Sequence, residues 1–76
     1  MSPEARVLSQ LRDVLDPETG VSMLELGIVR RVETAPGRVR IALDASHPLA
    51  RHFATEAEAA GRDAVPGRDV IVELAA

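Results

Sequence analysis

The stretch LDASHPLARHF, residues 43–53, holds both histidines of the chain and its only aromatic residue. Near neutral pH, histidine is the side chain best suited to act as base, proton shuttle or metal ligand. Pro48 is placed to open a helix, which puts His47 at that helix's amino end. The free N–H groups and positive dipole there favour anions and disfavour an imidazolium, so a neutral ring is expected. On these residues alone the favoured role is plainer: Ser46 or His47 caps the helix. His47 and His52 are five residues apart, about 140° around a helix at ~100° per residue. They share no face, so a helical two-histidine clamp is not expected. Asp44 can join His47 as a metal ligand, but spacing fixes no third donor. His52 reads as a solvated helix residue.

The other candidate pair is Asp16 and Glu18 in DPET, residues 16–19. Paired carboxylates suit acid–base work. A turn in which Asp16 accepts local backbone hydrogen bonds explains them equally well. No serine or threonine stands in a nucleophile motif, and the five glycines are scattered singly rather than gathered into a phosphate loop. No catalytic residue is assigned, and an independent enzyme is not expected.

Positioning these groups falls to 76 residues, enough for one small domain over 1–76. Apolar residues make up 46% of the chain, too many for a disordered tail. Ordering the backbone costs about 1–2 kcal/mol per residue. With Phe53 as the lone aromatic, Val, Leu, Ile and Ala must supply the opposing burial. A homodimer or a partner surface would help. The nine basic residues, all arginine, face twelve acids for a net charge of −3. That balance argues against nonspecific nucleic-acid or membrane-surface binding. Without cysteine, the chain holds no disulfide, thiolate zinc site or cysteine-ligated cluster of its own. No apolar run reaches the length of a membrane span or a secretory leader, so the cytoplasm is the expected compartment.

SPEARVLSQLRDVLDPETG carries helix punctuation: Ser2 to cap, Pro3 at the first position, Glu4 at the positive end. Val7, Leu8, Leu11, Val14 and Leu15 form one apolar stripe, and Pro17 ends the helix near Leu15. Val21 to Leu26 is expected to be a short extended or single-turn segment leading to Gly27. Ile28 to Thr34 is β-branched and predicts a strand. Pro36 and Gly37 suit a type II turn, and RVRIALD then alternates, with Val39, Ile41 and Leu43 inward. This hairpin should carry Arg31, Glu33, Arg38 and Arg40 on its outer face.

A second helix from Pro48 places Leu49, Ala50, Phe53, Ala54, Ala57 and Ala60 at helical spacing, with Gly61 to end it. Its alanines would let it sit close to the sheet. AVPGRD is a turn, and VIVELAA a last strand with Val70, Val72 and Leu74 on one face. The order is α-β-β-α-β. The fold class is α+β, a two-layer α/β sandwich with a three-stranded mixed sheet and two helices packed on one face. The sequence does not say which strand the last one joins.

In that order and spacing, the D-P-E of Asp16, Pro17 and Glu18, the L-G of Leu26 and Gly27, HPLA, and VPGRDVIVEL make the chain resemble a known family. It is similar, over residues 5–75, to the small iron–sulfur cluster assembly domains. These include the PaaD and SufT proteins and the amino-terminal domain of Mrp-type cluster-carrier ATPases. The resemblance implies a two-layer α/β sandwich. Family members typically carry a Thr/Ser-Pro-x-Cys-Pro loop before the second helix, where the dipole stabilises the thiolate. Here His47 stands in the cysteine's place, Pro48 matches the following proline, and the loop is shorter. An imidazole is neither the soft anionic ligand nor the nucleophile that a thiolate is.

The resulting expectation is a non-catalytic accessory or interaction domain in iron–sulfur cluster or metallocofactor maturation, its cysteine ligand lost and no cofactor of its own. It would meet cluster-assembly proteins or client metalloproteins through a surface around Asp16, Glu18, Ser46 and His47. The alternative is a metal- or cluster-binding domain that uses His47 at a dimer or partner interface. A KH-type RNA-binding domain shares some strand–helix order, but the required G-x-x-G loop is missing.

Overall fold

The computed structural model describes all residues, 1–76. Helix α1 (Pro3–Arg12) starts as its sequence dictates. The Ser2 hydroxyl accepts from the Ala5 N–H at 3.1 Å, Pro3 fills the first turn and Glu4 faces the positive dipole end. The helix ends at Arg12 rather than near Leu15. Pro17 holds Asp16 extended, and the flanking backbone finds better partners outside a helix. Asp16 N–H reaches Val21 O and Met23 N–H reaches Val14 O, both at 2.9 Å, closing a one-residue bridge between Leu15 and Ser22. Leu15 therefore leaves the apolar stripe and is 51% exposed, while Met23, carried on the tight turn that follows, is fully buried.

Strand β1 (Val29–Ala35) begins one residue later than expected and pairs antiparallel with β2 (Arg38–Asp44). Gly37, at φ +75, makes the turn between them. A bulge between Val29 and Arg31 inserts Arg30 into the first strand. Val32, Val39, Ile41 and Leu43 face inward and are buried. Arg31, Glu33, Arg38 and Arg40 face outward; Arg31 pairs with Glu33 at 2.8 Å in solvent, where such contacts add little stability.

Helix α2 (Ala50–Ala64) starts two residues after Pro48 and runs through Gly61 to Ala64. Two expectations are corrected here. Residues 47–49 are tied into a turn of their own, leaving Leu49 as the cap. Gly61 does not end the helix but serves as a contact point inside it. A β-carbon there would lie 2.8 Å from Val70 Cγ1 and 3.2 Å from Ile41 Cδ1, so only glycine lets helix and sheet come this close. The helix stops instead before Pro66, which disfavours helical geometry at Val65.

Strand β3 (Asp69–Ala75) settles the open question of pairing: it lies parallel to β2 in the order β1-β2-β3. Both helices pack on one face of this mixed sheet. The core gathers Phe53, Leu11, Met23, Ile28, Ile41 and Leu43, with the small side chains of α2 against the strands. No helix is long and apolar enough to cross a membrane.

Candidate functional site

Two loops frame the amino end of α2. The first is DPETG, residues 16–20. Here the Asp16 carboxylate accepts the Glu18 N–H at 2.9 Å, and the Asp16 carbonyl accepts the Gly20 N–H at 2.7 Å. Gly20, at φ +73, completes the reversal. Asp16 is thus half-buried and spent on holding the loop, whereas the Glu18 carboxylate is exposed and presented outward.

The second loop is DASHPL, residues 44–49. The Asp44 carboxylate accepts both the Ser46 hydroxyl at 2.6 Å and the Ser46 N–H at 2.9 Å. The His47 N–H binds the Asp44 carbonyl, and the His47 carbonyl accepts from Ala50. The His47 ring closes the turn: its Nδ1 accepts the Leu49 N–H at 3.1 Å. That bond requires a bare Nδ1 and leaves the proton on Nε2. His47 is therefore a capping side chain for the turn ahead of α2, two residues before the Leu49 cap itself.

These hydrogen bonds set the electrostatics of the loop. The Ser46 hydroxyl, followed by the Ser46 N–H, holds the Asp44 carboxyl below its usual range; desolvation opposes them, and the Arg30 charge adds to the lowering. A depressed carboxyl contributes stability that is present above the ordinary aspartate value of about 3.9 and lost as pH falls through the folded value. Ser46→Ala removes the largest cause. An NMR titration should show the Asp44 carboxyl moving up toward its ordinary range, with a flatter pH dependence of melting in acid. An unchanged titration would refute the role given to the Ser46 hydroxyl.

The loops meet through Leu49. Asp16, Pro17, Glu18, Leu49 and His52 line one open cleft at the start of α2. The candidates thus fall into two groups, with Asp16 and Glu18 in the cleft and Ser46 and His47 in the adjoining turn, joined to it by the Leu49 backbone. Leu49 and His52 were missed as cleft residues. Helical spacing places His52 toward solvent, and only the docking of DPETG against α2 makes that side a wall. The His52 ring stands edge-on to Phe53, with centroids 5.0 Å apart, which ties the cleft wall to the core.

The donors do not fit a cluster or metal held by this chain alone. There is no cysteine, and no three His, Asp or Glu side chains gather closely enough to ligate an ion.

Comparison with known proteins places the fold. The sequence profile described as iron–sulfur cluster assembly protein matches residues 4–74. The chain belongs to that family. Among solved structures it is similar to a crystal structure from Bacillus anthracis described as a domain of unknown function, DUF59. The superposition has a TM-score of 0.75 at 23% identity and covers 96% of this chain and 74% of that one. At that identity the likeness speaks for the shared fold. No curated protein matches the chain. Membership in the family connects the chain with iron–sulfur cluster assembly, and the architecture expected from the sequence is the one observed.

Proposed function

We propose that the chain is a non-catalytic accessory domain of iron–sulfur cluster maturation that works by contact with other proteins, in the cytoplasm, and holds no cluster itself. The observation that carries this reading is the donor set, a family fold without cysteine or a three-ligand grouping. The iron and sulfide then remain on ligands of another protein. The surface for contact is the cleft at the amino end of α2, where Glu18 is displayed with its carboxylate uncommitted and His52 and Leu49 supply the opposite wall. Asp16, Ser46 and His47 shape this surface rather than reach from it.

The alternative, metal ligation by His47 at a dimer or partner interface, runs against one bond. Ligation through Nε2 needs that nitrogen bare, which moves the proton to Nδ1 and sets it against the Leu49 N–H. The capping bond would be lost, at about 0.5–1.5 kcal/mol.

Anaerobic affinity capture tests the proposal, with wild type compared against Glu18→Lys. The charge reversal leaves the Glu18 N–H bond to Asp16, and so the loop, intact. The expected result is recovery of cluster-assembly scaffolds or apo-metalloprotein clients by wild type and at least about tenfold less by the variant, the loss of one charge pair in a desolvated contact. Repeated capture without any such protein would overturn the reading.

A further inference from the structure

The contact cleft does not end at His52. His52 and Glu56 stand one turn apart on α2, and Leu15 directly precedes Asp16, so the cleft opens into a groove between the end of α1 and the outer side of α2. The floor of the groove is apolar, made by Val14, Ala59, Ala60 and Leu15, the last of which is 51% exposed. From His52 to Asp63 the α2 wall runs about 16 Å, matching about three turns of an opposing helix.

The rim carries one sign of charge. Asp13, Glu56 and Asp63 line the groove, Glu18 lines the cleft, and none of the nine arginines lines either. None of these four carboxylates belongs to an ion pair. Arg12 and Arg62 neighbour them in sequence but stand outside the groove, Arg62 being held by Glu58 at 2.6 Å. Two of the acids also sit against local preference. Asp13 caps the C-terminal end of α1, and Asp63 lies in the last turn of α2. Both helix ends are negative, so a carboxylate there is locally unfavourable and adds to the potential of the groove. A cation supplied from outside the chain would compensate both.

We infer that the groove seats a basic amphipathic helix of another protein, its apolar side on Val14 and Leu15 and its lysines or arginines beside Asp13, Glu56 and Asp63. This rests on the contact face proposed above and names the chemistry of the partner that meets it. Charge selects the occupant. A second copy set groove to groove would bring the same acids together, and nucleic acid or an anionic lipid surface would be repelled. The form of the occupant follows from α2, whose backbone groups are bonded within the helix. An extended segment laid on that wall would leave its own N–H and C=O groups unpaired, whereas a helix satisfies them internally.

The probe is a synthetic peptide of leucine and lysine with its leucines at i, i+3, i+4 and i+7, titrated into the isotope-labelled chain and followed by NMR. One control peptide has the same composition with the leucines scattered, and another has glutamate for lysine. The expected result is saturable shifts centred on the amides of Leu15, Glu56 and Ala59, with a dissociation constant at least about tenfold below that of either control. Glu56→Lys combined with Asp63→Lys should weaken binding about tenfold or more. Leu15→Ser should weaken it about fivefold or more through the lost apolar contact. All three positions are exposed, so each variant should fold. Asp63→Lys alone should melt no lower than wild type, because a lysine suits the last turn of a helix. No binding below about 1 mM, equal binding of either control, shifts centred elsewhere, or affinity indifferent to the three substitutions would each overturn the inference. So would self-association of the wild type that Glu56→Lys abolishes, which would give the groove to a second copy. The peptide contains nothing of cluster assembly. Its failure beside successful capture of a maturation protein would strike the groove alone, and its binding without such capture would strike the maturation reading alone.

Discussion

Phe53→Ala should leave the domain close to unfolded at room temperature. Phe53 is fully buried and is the only aromatic in the core. Truncating such a residue costs about 3–5 kcal/mol, the lost transfer energy plus the cavity left behind. A 76-residue chain has only about 4–11 kcal/mol to lose, at roughly 0.05–0.15 kcal/mol per residue. Apart from Met23, the surrounding core is built from Val, Leu, Ile and Ala, which leave little with which to fill the space. The site would suffer too, because Phe53 anchors the first turn of α2 and supports the His52 ring on the cleft wall. Urea unfolding followed by circular dichroism measures the cost. A loss below about 1 kcal/mol, far under the range for buried aromatics, would contradict a single core organised around Phe53.

Gly61→Ala should destabilise as well, against the usual sign for this substitution. In an exposed helix interior, alanine is better than glycine by about 0.8–1.0 kcal/mol. Here the new methyl would fall 2.8 Å from Val70 Cγ1 and 3.2 Å from Ile41 Cδ1. Both neighbours are β-branched and stiff at χ1, so relief requires α2 to lift from the sheet. Overpacking of this kind costs about 1–3 kcal/mol, which outweighs the gain in helix propensity. Gly61→Val should cost more, since it adds two further carbons at the same place. A stabilised Gly61→Ala in equilibrium unfolding would show that α2 and the sheet are not in such close contact.

The pattern of elements was legible because it rests on local rules. Ser2 and Pro3 start a helix, Pro36 and Gly37 turn a hairpin, and alternation in residues 38–44 selects the inward face. The errors lie where two local rules compete or where a distant partner decides. Leu15 fits the apolar stripe of α1, but the bridge to Ser22 takes its backbone away from the helix. Gly61 fits a helix terminator, yet its meaning comes from Val70 and Ile41, which no local pattern brings near. Pro48 fits a first helical position, but the His47 ring claims the Leu49 N–H and holds the turn apart from the helix.

The site was legible in its loops and not in its assembly. DPET was open between an acid–base pair and a turn held by Asp16, and the hydrogen bond from Glu18 N–H to the Asp16 carboxylate is that of the turn. His52 is exposed, as its helical spacing predicts, but its place on the cleft wall was not legible, because the face it shares with DPETG exists only once that loop has docked. The sheet order had the same character: nothing in VIVELAA names its neighbour, which depends on how α2 crosses over the sheet.

The central claim is that this domain serves cluster assembly without ligating the cluster. Anaerobic reconstitution of the isolated chain with ferrous iron and sulfide, followed by desalting and measurement of iron per chain, tests it most directly. The expected result is no retained iron and no cluster absorption, identical in wild type and His47→Ala. Stoichiometric iron that survives desalting on the wild type and disappears in His47→Ala would contradict it.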